Sequence, residues 1–143
     1  MAKLTILIAE DDKRMQMVYD TGLPSAVFEK HFAENGKEAL EIYNSLHPDI
    51  IVLDILMPVM SGYDALRKIR EELEDTSTAI IMATSKAGEE DVMACIRHGI
   101  QGYVLKPFKW TEIADRILKY YGKVSPENAR IAVELQGLPG GEE

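Results

Sequence analysis

Acidic, hydroxyl and cationic side chains stand directly after four of the short apolar runs in this sequence. Glu10 and Asp11 follow the first run, Asp54 follows a later one, Thr84 follows a third and Lys106 a fourth. Because the carboxyl ends of parallel strands meet at one edge of a sheet, we expect these side chains to lie close together. Each alone could be a helix cap or a solvated charge, but caps do not account for the whole group.

Three carboxylates in one place predict a bound cation. Glu10, Asp11 and Asp54 would raise one another's pKa values, and Lys106 offsets only one of their charges. Mg²⁺ suits carboxylate oxygens and waters, and its remaining positions are usually filled by phosphate oxygens. The group therefore indicates phosphoryl transfer, with one carboxylate able to act as the nucleophile.

The apolar runs are typical of strands in a buried parallel sheet. They alternate with amphipathic segments, which predicts a single doubly wound α/β domain with helices on both faces. Right-handed crossovers favour the flavodoxin-like strand order 2-1-3-4-5, with the more polar second strand at the edge. The predicted strands are Leu4–Ala9, Val27–Ala33, Ile50–Leu53, Ala79–Ala83 and Gly102–Leu105. The predicted helices are Lys13–Thr21, Lys37–Leu46, Tyr63–Leu73, Gly88–His98 and Thr111–Tyr121.

Composition narrows the class of protein. The chain has 143 residues, which is typical of one domain, and a net charge of −8, which argues against a nucleic-acid surface. Its single cysteine, Cys95, excludes an internal disulfide and is expected to pack in a helix. No apolar run reaches the length of a membrane span, so we expect a cytoplasmic protein without a membrane segment.

The C-terminal residues differ from the alternating pattern. We expect a domain over residues 1–122 and an extension over residues 123–143, made of a short helix and a disordered tail. Ser125 is the expected N-cap with Pro126 in the first turn, and Gly137 the expected end. The helix could dock on the domain, mediate dimerisation or begin a linker. Its expected apolar stripe is Ile131, Ala132 and Leu135, and the expected tail is Leu138–Glu143.

Over roughly residues 3 to 121 the chain resembles the receiver domain of bacterial two-component response regulators, including chemotaxis regulators. As a set the matching motifs are highly specific, although each alone is weak. They are Ile8–Asp12, Asn35–Leu40, Asp49–Asp54 with Met57-Pro58 and Gly62, Ala83-Thr84, and Gly102–Phe108.

The resemblance implies a phosphorylation-dependent switch. Asp54 would accept a phosphoryl group from a phosphohistidine of a sensor kinase or a phosphotransfer protein. Glu10 and Asp11, together with Asp54 and the backbone carbonyl of Leu56, would hold Mg²⁺. The protein would then be a phosphoacceptor rather than an enzyme with turnover, and an unknown downstream protein would recognise it.

The resemblance also implies how the signal leaves the site. Lys106 would pair with the phosphoryl oxygens, Thr84 would donate its hydroxyl to them, and Tyr103 would turn inward when Thr84 moves. A phosphoryl group adds about two negative charges, which attract a nearby hydroxyl and ammonium. The surface made by the fourth helix, the fifth strand and the fifth helix would then change its conformation. Two copies of the chain could form a homodimer through this surface. Tyr103 could equally be simple packing.

The chain departs from the common pattern of this family at Ser85, Leu56 and Lys86 and in the early end of its first helix. Ser85 stands where a very small residue is usual, and Leu56 and Lys86 occupy positions that tune the lifetime of the phosphorylated state. The first helix ends early, at Gly22 to Pro24, which would alter the surface for kinase docking. Trp110, just before the last helix of the domain, could contact a partner or cap the core, and we favour the first.

Two other functions compete with the switch. A Mg²⁺-dependent phosphohydrolase with an aspartyl nucleophile generally needs a second carboxylate two residues later, where this chain has Leu56. A receiver that binds partners without phosphorylation is disfavoured by the complete set of site residues. Asp12 is expected to be a charge at a helix start, and His31, His47 and His98 are expected to lie outside the site.

Overall fold

The computed structural model describes residues 3–85 and 88–136 of the chain. Its strands are β1 (Leu4–Ala9), β2 (Phe28–Ala33), β3 (Ile50–Leu53), β4 (Ala79–Thr84) and β5 (Gly102–Leu105). They form one parallel sheet in the order β2-β1-β3-β4-β5, so the predicted topology is confirmed. The strand bounds agree with the prediction to within one residue at each end.

Six α-helices accompany the sheet in the described part of the chain. They are α1 (Lys13–Gly22), α2 (Gly36–Leu46), α3 (Gly62–Arg67), α4 (Glu89–His98), α5 (Ile113–Tyr121) and α6 (Pro126–Gln136). One apolar cluster joins the sheet to α1, α5 and α6, and a second joins it to α2, α3 and α4. Helices therefore cover both faces, as the apolar strands require. None of the described helices is long and apolar enough to cross a bilayer.

The register of the sheet aligns the carboxyl ends of neighbouring strands. Ala9 of β1 pairs with Leu53 of β3, and the amide of Asp54 donates to the carbonyl of Ala9 at 3.1 Å. On the other side of β3, the amide of Lys106 donates to the carbonyl of Thr84 at 3.0 Å. Because these bonds continue the sheet past the strand ends, the residues that follow the strands emerge at the same edge.

Helix α1 ends early, at Gly22, as predicted. The side chain of Lys30 on β2 is 9% exposed, and its Nζ donates to the carbonyls of Asp20 at 2.9 Å and Leu23 at 2.7 Å. These bonds satisfy carbonyl groups that the end of a helix leaves without partners. A Cβ atom at Gly22 would lie 2.4 Å from the carbonyl oxygen of Trp110, so this contact with the loop before α5 requires glycine. The side chain of Trp110 itself is 53% exposed, so it does not cap the core.

The helix predicted over Tyr63–Leu73 is present from Gly62 to Glu72, but its second half is not α-helical. The α-helix ends at Arg67, and Lys68–Glu72 form a π-helical turn. The amide of Leu73 donates to the carbonyl of Lys68 at 2.9 Å, five residues earlier. The turn buries two consecutive side chains, Ile69 and Arg70, and the contacts of Arg70 were not visible as a sequence pattern.

Arg70 joins the loop before β4 to the loop before β5. Its Nε donates to the carbonyl of Gly99 at 2.9 Å, and its two terminal nitrogens donate to the carbonyls of Asp75 and Thr78, each at 2.8 Å. The carboxylate of Asp75 accepts hydrogen bonds from the hydroxyls of Thr78 and Tyr43. Burial opposes the charge of Asp75, but these hydrogen bonds outweigh it and hold the pKa of Asp75 well below its usual value.

Helix α6 packs along α5. Ala129 and Ala132 are buried against the cluster that includes α5, and the side-chain amide of Gln136 donates to Asp115 at 2.5 Å. The two helices are antiparallel neighbours, joined by a short connection. Of the three uses open to this segment from sequence, docking on the domain is therefore the one observed.

The apolar stripe of α6 differs in part from the prediction. Ala132 is buried and Leu135 packs against the core, but Ile131 is only half-buried and Ala129 takes the inner position instead. The division of the chain at residue 122 stays a prediction. The expected tail Leu138–Glu143 lies outside the described residues.

Replacing Asp75 by asparagine should destabilise the domain near pH 7, because the hydrogen bonds from Tyr43 and Thr78 lose a charged acceptor. We expect a loss of about 2 kcal/mol in the free energy of unfolding, measured by urea denaturation. A lowered pKa contributes stability above the ordinary value of 3.8 that is lost as the pH falls through the pKa of the folded state. The difference between variant and wild type should therefore shrink below about pH 4.

The matched control is Glu41→Gln on the exposed face of α2, which should change the free energy of unfolding by less than about 0.5 kcal/mol. A difference between wild type and Asp75→Asn that stays constant down to the lowest pH would contradict the assigned role of the Asp75 charge.

Candidate functional site

The predicted strand-end residues meet at one edge of the sheet. Carboxylate oxygens of Glu10, Asp11 and Asp54 all lie within 4.8 Å of one another. Nζ of Lys106 bonds to Oδ2 of Asp54 at 2.8 Å and also contacts Oε1 of Glu10. The structure thus brings together three acids and one ammonium, the group that sequence predicted.

Burial makes it energetically unfavourable for the side chains of this site to be charged. Glu10 is 1% exposed and Asp54 is 7% exposed, whereas Asp11 is exposed. Burial raises the pKa of Glu10, and the bonds from Lys106 and from the amide of Asp12 offset this only in part. For Lys106 burial acts in the opposite sense, but its hydrogen bonds to Asp54 and Glu10 outweigh it and raise the pKa of the ammonium.

Glu10 is held by the start of α1. The amide of Asp12 donates to Oε2 of Glu10 at 3.0 Å, and the side chain of Gln16 donates to the carbonyl of Glu10 at 2.7 Å. Asp12 is the N-cap of α1 and accepts from the amide of Arg14 at 2.8 Å, so its predicted place at the helix start is confirmed. Sequence reasoning missed Gln16, whose role depends on the turn of chain between β1 and α1.

Asp54 lies at the base of the loop between β3 and α3. One of its oxygens accepts from the amide of Leu56 at 3.2 Å, and the amide of Gly62 closes the loop on the carbonyl of Ile55 at 3.0 Å. A Cβ atom at position 62 would lie 1.9 Å from the carbonyl oxygen of Asp54, so only glycine fits this approach. The side chain of Leu56 is 56% exposed and borders an open groove next to Asp11.

Thr84 and Tyr103 lie on the adjacent strands β4 and β5. Thr84 is completely buried, and Tyr103 is half-buried against the cluster on the α4 side of the sheet. Burial is the main cause that raises the pKa of Tyr103 to about 12, with smaller contributions from the charges of Cys95, Asp91 and Asp54. The Tyr103 hydroxyl therefore stays protonated at neutral pH.

The other residues considered in the sequence analysis lie outside the group of acids and Lys106. His31 pairs with Glu29 at 2.8 Å on β2, and His47 is the C-cap of α2 in the left-handed conformation. His98 bonds to the hydroxyl of Tyr63 at 2.8 Å. Cys95 is buried as predicted, while Ser85 is exposed and Lys86 is outside the described residues.

The donor chemistry fits a hard divalent cation. The cluster offers only carboxylate oxygens, and three negative charges face one ammonium, which leaves a net charge of about −2 at the edge of the sheet. Mg²⁺ prefers such ligands, binds few of them, and keeps waters or phosphate oxygens in its other positions. Asp11, being exposed, leaves the cluster open to solvent on one side.

Comparison with known proteins agrees with this geometry. The family model for the response regulator receiver domain matches residues 6–118. The chain is 35% identical over 117 residues to the chemotaxis protein CheY of Halobacterium salinarum, covering 78% of this chain and 92% of that protein. It is 36% identical over 108 residues to the regulatory protein AtoC of Escherichia coli K12, covering 76% of this chain.

The chain spans only 23% of the length of AtoC. Its fold is that of a solved CheY-like receiver domain protein from Methanospirillum hungatei JF-1, with a TM-score of 0.79, 22% sequence identity, and coverage of 88% of this chain and 99% of that one. The family model covers most of the chain, and the strand order and the acidic cluster agree with it. The chain belongs to the response regulator receiver-domain family, whose members serve two-component signalling.

Proposed function

We propose that Asp54 accepts a phosphoryl group from the phosphohistidine of a sensor kinase or a phosphotransfer protein. The observation that carries this proposal is that the Asp54 carboxylate bonds to Lys106 at 2.8 Å while two further acids lie within 4.8 Å. An Asp54 oxygen forms the new P–O bond as the P–N bond of the donor breaks. The imidazole nitrogen leaves with the electron pair of the P–N bond. It then takes up a proton, which gives neutral histidine.

Glu10, Asp11 and Asp54 hold Mg²⁺ in this proposal, together with the backbone carbonyl of Leu56. When bound, the ion offsets the charge of the carboxylates and of the phosphoryl oxygens. The amide of Asp12 keeps Glu10 oriented toward the cluster, and Asp11 faces the solvent from which the donor arrives.

Lys106 serves as the counter-charge throughout. Its ammonium already bridges Glu10 and Asp54, so a short movement brings it onto the phosphoryl oxygens. Thr84, at the end of the neighbouring strand, donates its hydroxyl to the same group, and Tyr103 on β5 turns inward in response. A phosphoryl group attracts both donors because it adds about two negative charges.

The domain acts as a switch and not as a hydrolase. An aspartyl phosphohydrolase needs an acid near the nucleophile to serve the leaving group and the attacking water. The position two residues after Asp54 holds Leu56, whose aliphatic side chain cannot take that role. The complete set of acids and the lysine also argues against a receiver that works without phosphorylation.

The signal leaves through the surface of α4, β5 and α5 to a downstream protein or to a second copy of the chain. Exposed apolar side chains, Met93 and Ile96 on α4 and Leu105 on β5, lie on this surface. The first turn of α4 is acidic and the outer side of α5 carries Arg116 and Lys119, so two copies offer complementary charges. The negative net charge does not suit nucleic acid, and we assign the protein to the cytoplasm, where these kinases present their phosphohistidine.

Incubation with Mg²⁺ and acetyl phosphate should add one phosphoryl group that hydroxylamine removes, as measured by intact-protein mass spectrometry. Asp54→Asn should abolish the addition, because an amide oxygen is a poor nucleophile. The matched control is Asp64→Asn on α3, which should be labelled like the wild type. Labelling that persists in Asp54→Asn would show that another residue is the acceptor.

Replacing Lys106 by methionine should leave two buried carboxylates without their counter-charge. We expect a loss of about 3 kcal/mol in the free energy of unfolding near pH 7 without metal. Since the pKa of Glu10 is already above its ordinary value of 4.5, it should rise further, and the loss should shrink as the pH falls through that raised value. Urea denaturation near pH 7 and near pH 5 measures both effects.

Addition of Mg²⁺ should restore part of the stability of Lys106→Met, because the ion supplies the missing positive charge. Lys13→Met is the matched control, since its ion pair with Glu34 is exposed and should contribute less than about 1 kcal/mol. A variant at Lys106 that no longer responds to Mg²⁺ would show that this lysine organises the metal site itself.

A further inference from the structure

Gln16 on α1 contacts the turn that carries two of the three clustered acids, and the function proposed above gives it no role. Its side-chain amide donates to the backbone carbonyl of Glu10 at 2.7 Å. Its backbone amide donates to the carbonyl of Asp12 at 3.0 Å. Gln16 therefore binds the chain on both sides of Asp11.

The carbonyl that accepts from the Gln16 side chain belongs to the peptide group that joins Glu10 to Asp11. A peptide group is planar, and the Cα atoms of both residues lie in its plane. A hydrogen bond to its oxygen restricts the rotation of this plane. The bond from Gln16 therefore restrains the directions in which the side chains of both acids leave the backbone.

The other hydrogen bonds of this turn do not fix that peptide group. The amide of Glu10 donates to the carbonyl of Ala33 at 2.8 Å, and the amide of Asp12 donates to the Glu10 carboxylate at 3.0 Å. The side chain of Asp11 makes no hydrogen bond to any residue within the described part of the chain. Its place in the cluster therefore depends on the backbone that Gln16 holds.

Gln16 supplies this restraint as a neutral group. The three acids and Lys106 have a net charge of about −2, and the carboxylate oxygens lie within 4.8 Å of one another. Their repulsion favours movement of the exposed Asp11 away from the two buried acids, and a fixed peptide group limits this movement. An ion that binds to ligands already held in place loses less affinity to the ordering of those ligands.

We propose that Gln16 is a positioning residue for Mg²⁺. By holding the peptide group between Glu10 and Asp11, its side-chain amide places the two carboxylates for the ion. This proposal rests on the Mg²⁺ site proposed above. Groups that orient metal ligands commonly weaken metal affinity by about tenfold or more when they are removed.

Gln16→Met tests this role, because methionine keeps the length of the side chain and removes the donor. We expect the Kd for Mg²⁺, measured by calorimetric titration of the full chain, to rise about tenfold. Without metal, the backbone amide of Asp12 should exchange its hydrogen faster in the variant, because the turn that presents the Glu10 carboxylate to it is less restrained.

Two charged variants separate positioning from charge. Gln16→Arg keeps a donor and adds a positive charge, whereas Gln16→Glu removes the donor and adds a negative charge. Charge alone would make Gln16→Glu bind Mg²⁺ more tightly than Gln16→Arg. We expect the reverse order, because only the arginine can hold the peptide group. The matched controls are Met17→Arg and Met17→Glu at the next position, 70% exposed, whose Kd values should follow charge.

The possible results distinguish this role from the metal site itself. A wild type that binds no Mg²⁺ would overturn the metal site, and this proposal with it. If the wild type binds Mg²⁺ but Gln16→Met has the same Kd, or if the Gln16 variants follow the charge order of the Met17 variants, only the role of Gln16 is overturned.

A measurement on the wild type decides the matter if the Gln16 variants do not fold. The side-chain amide protons of Gln16 should exchange with solvent more slowly than those of a free glutamine, and Mg²⁺ should slow them further. Exchange at the rate of free glutamine, with and without Mg²⁺, would overturn the proposal.

Discussion

The mutual repulsion of Glu10, Asp11 and Asp54 is the constraint on which the rest of this molecule depends. Two unit charges 4.8 Å apart repel by roughly 3 to 4 kcal/mol at an effective dielectric constant of about 20. Two of these acids are almost fully buried, which adds the cost of removing them from water. The fold must therefore hold the acids in place against a force that would separate them, and the apolar strands beneath them supply that resistance.

The parallel register provides the rigid support, and small residues allow the loops to meet on it. Leu53 pairs with Ala9, and both are buried, so the acids that follow cannot move apart without disturbing the sheet. Gly62 lets the chain pass within van der Waals distance of the Asp54 carbonyl. The single ammonium of Lys106 compensates only part of the charge. The remaining excess of negative charge suits a divalent cation.

Local patterns in the sequence predicted the sheet and the site, because both depend on short-range chemistry. Four-residue apolar runs mark buried strands, and polar residues that end them fall at the same edge by topology alone. The acids, Thr84 and Lys106 were found in this way, and so was the place of Asp12 at the start of α1. Even the early end of α1 was visible in Gly22 and Pro24.

Features that depend on distant side chains could not be found in this way. The π-helical turn is linked to the burial of Arg70, whose partners at Gly99 and Thr78 are far apart in sequence. The Lys30 side chain that bonds to the last carbonyls of α1 comes from the edge strand β2.

Helix α4 shows how the same fold permits movement. Cys95 is its only buried residue, and the apolar side chains of Met93 and Ile96 are exposed. Its C-terminal end is held to α3 and the π-helical turn by the bonds of His98 to Tyr63 and of Arg70 to the carbonyl of Gly99. A helix with so little buried apolar area can be repositioned at low cost, and elements that move are drawn from such weakly packed parts of a structure. The strands that carry the charges are rigid because they are buried, whereas α4, which belongs to the surface proposed to carry the signal, is loosely packed because it buries little apolar area.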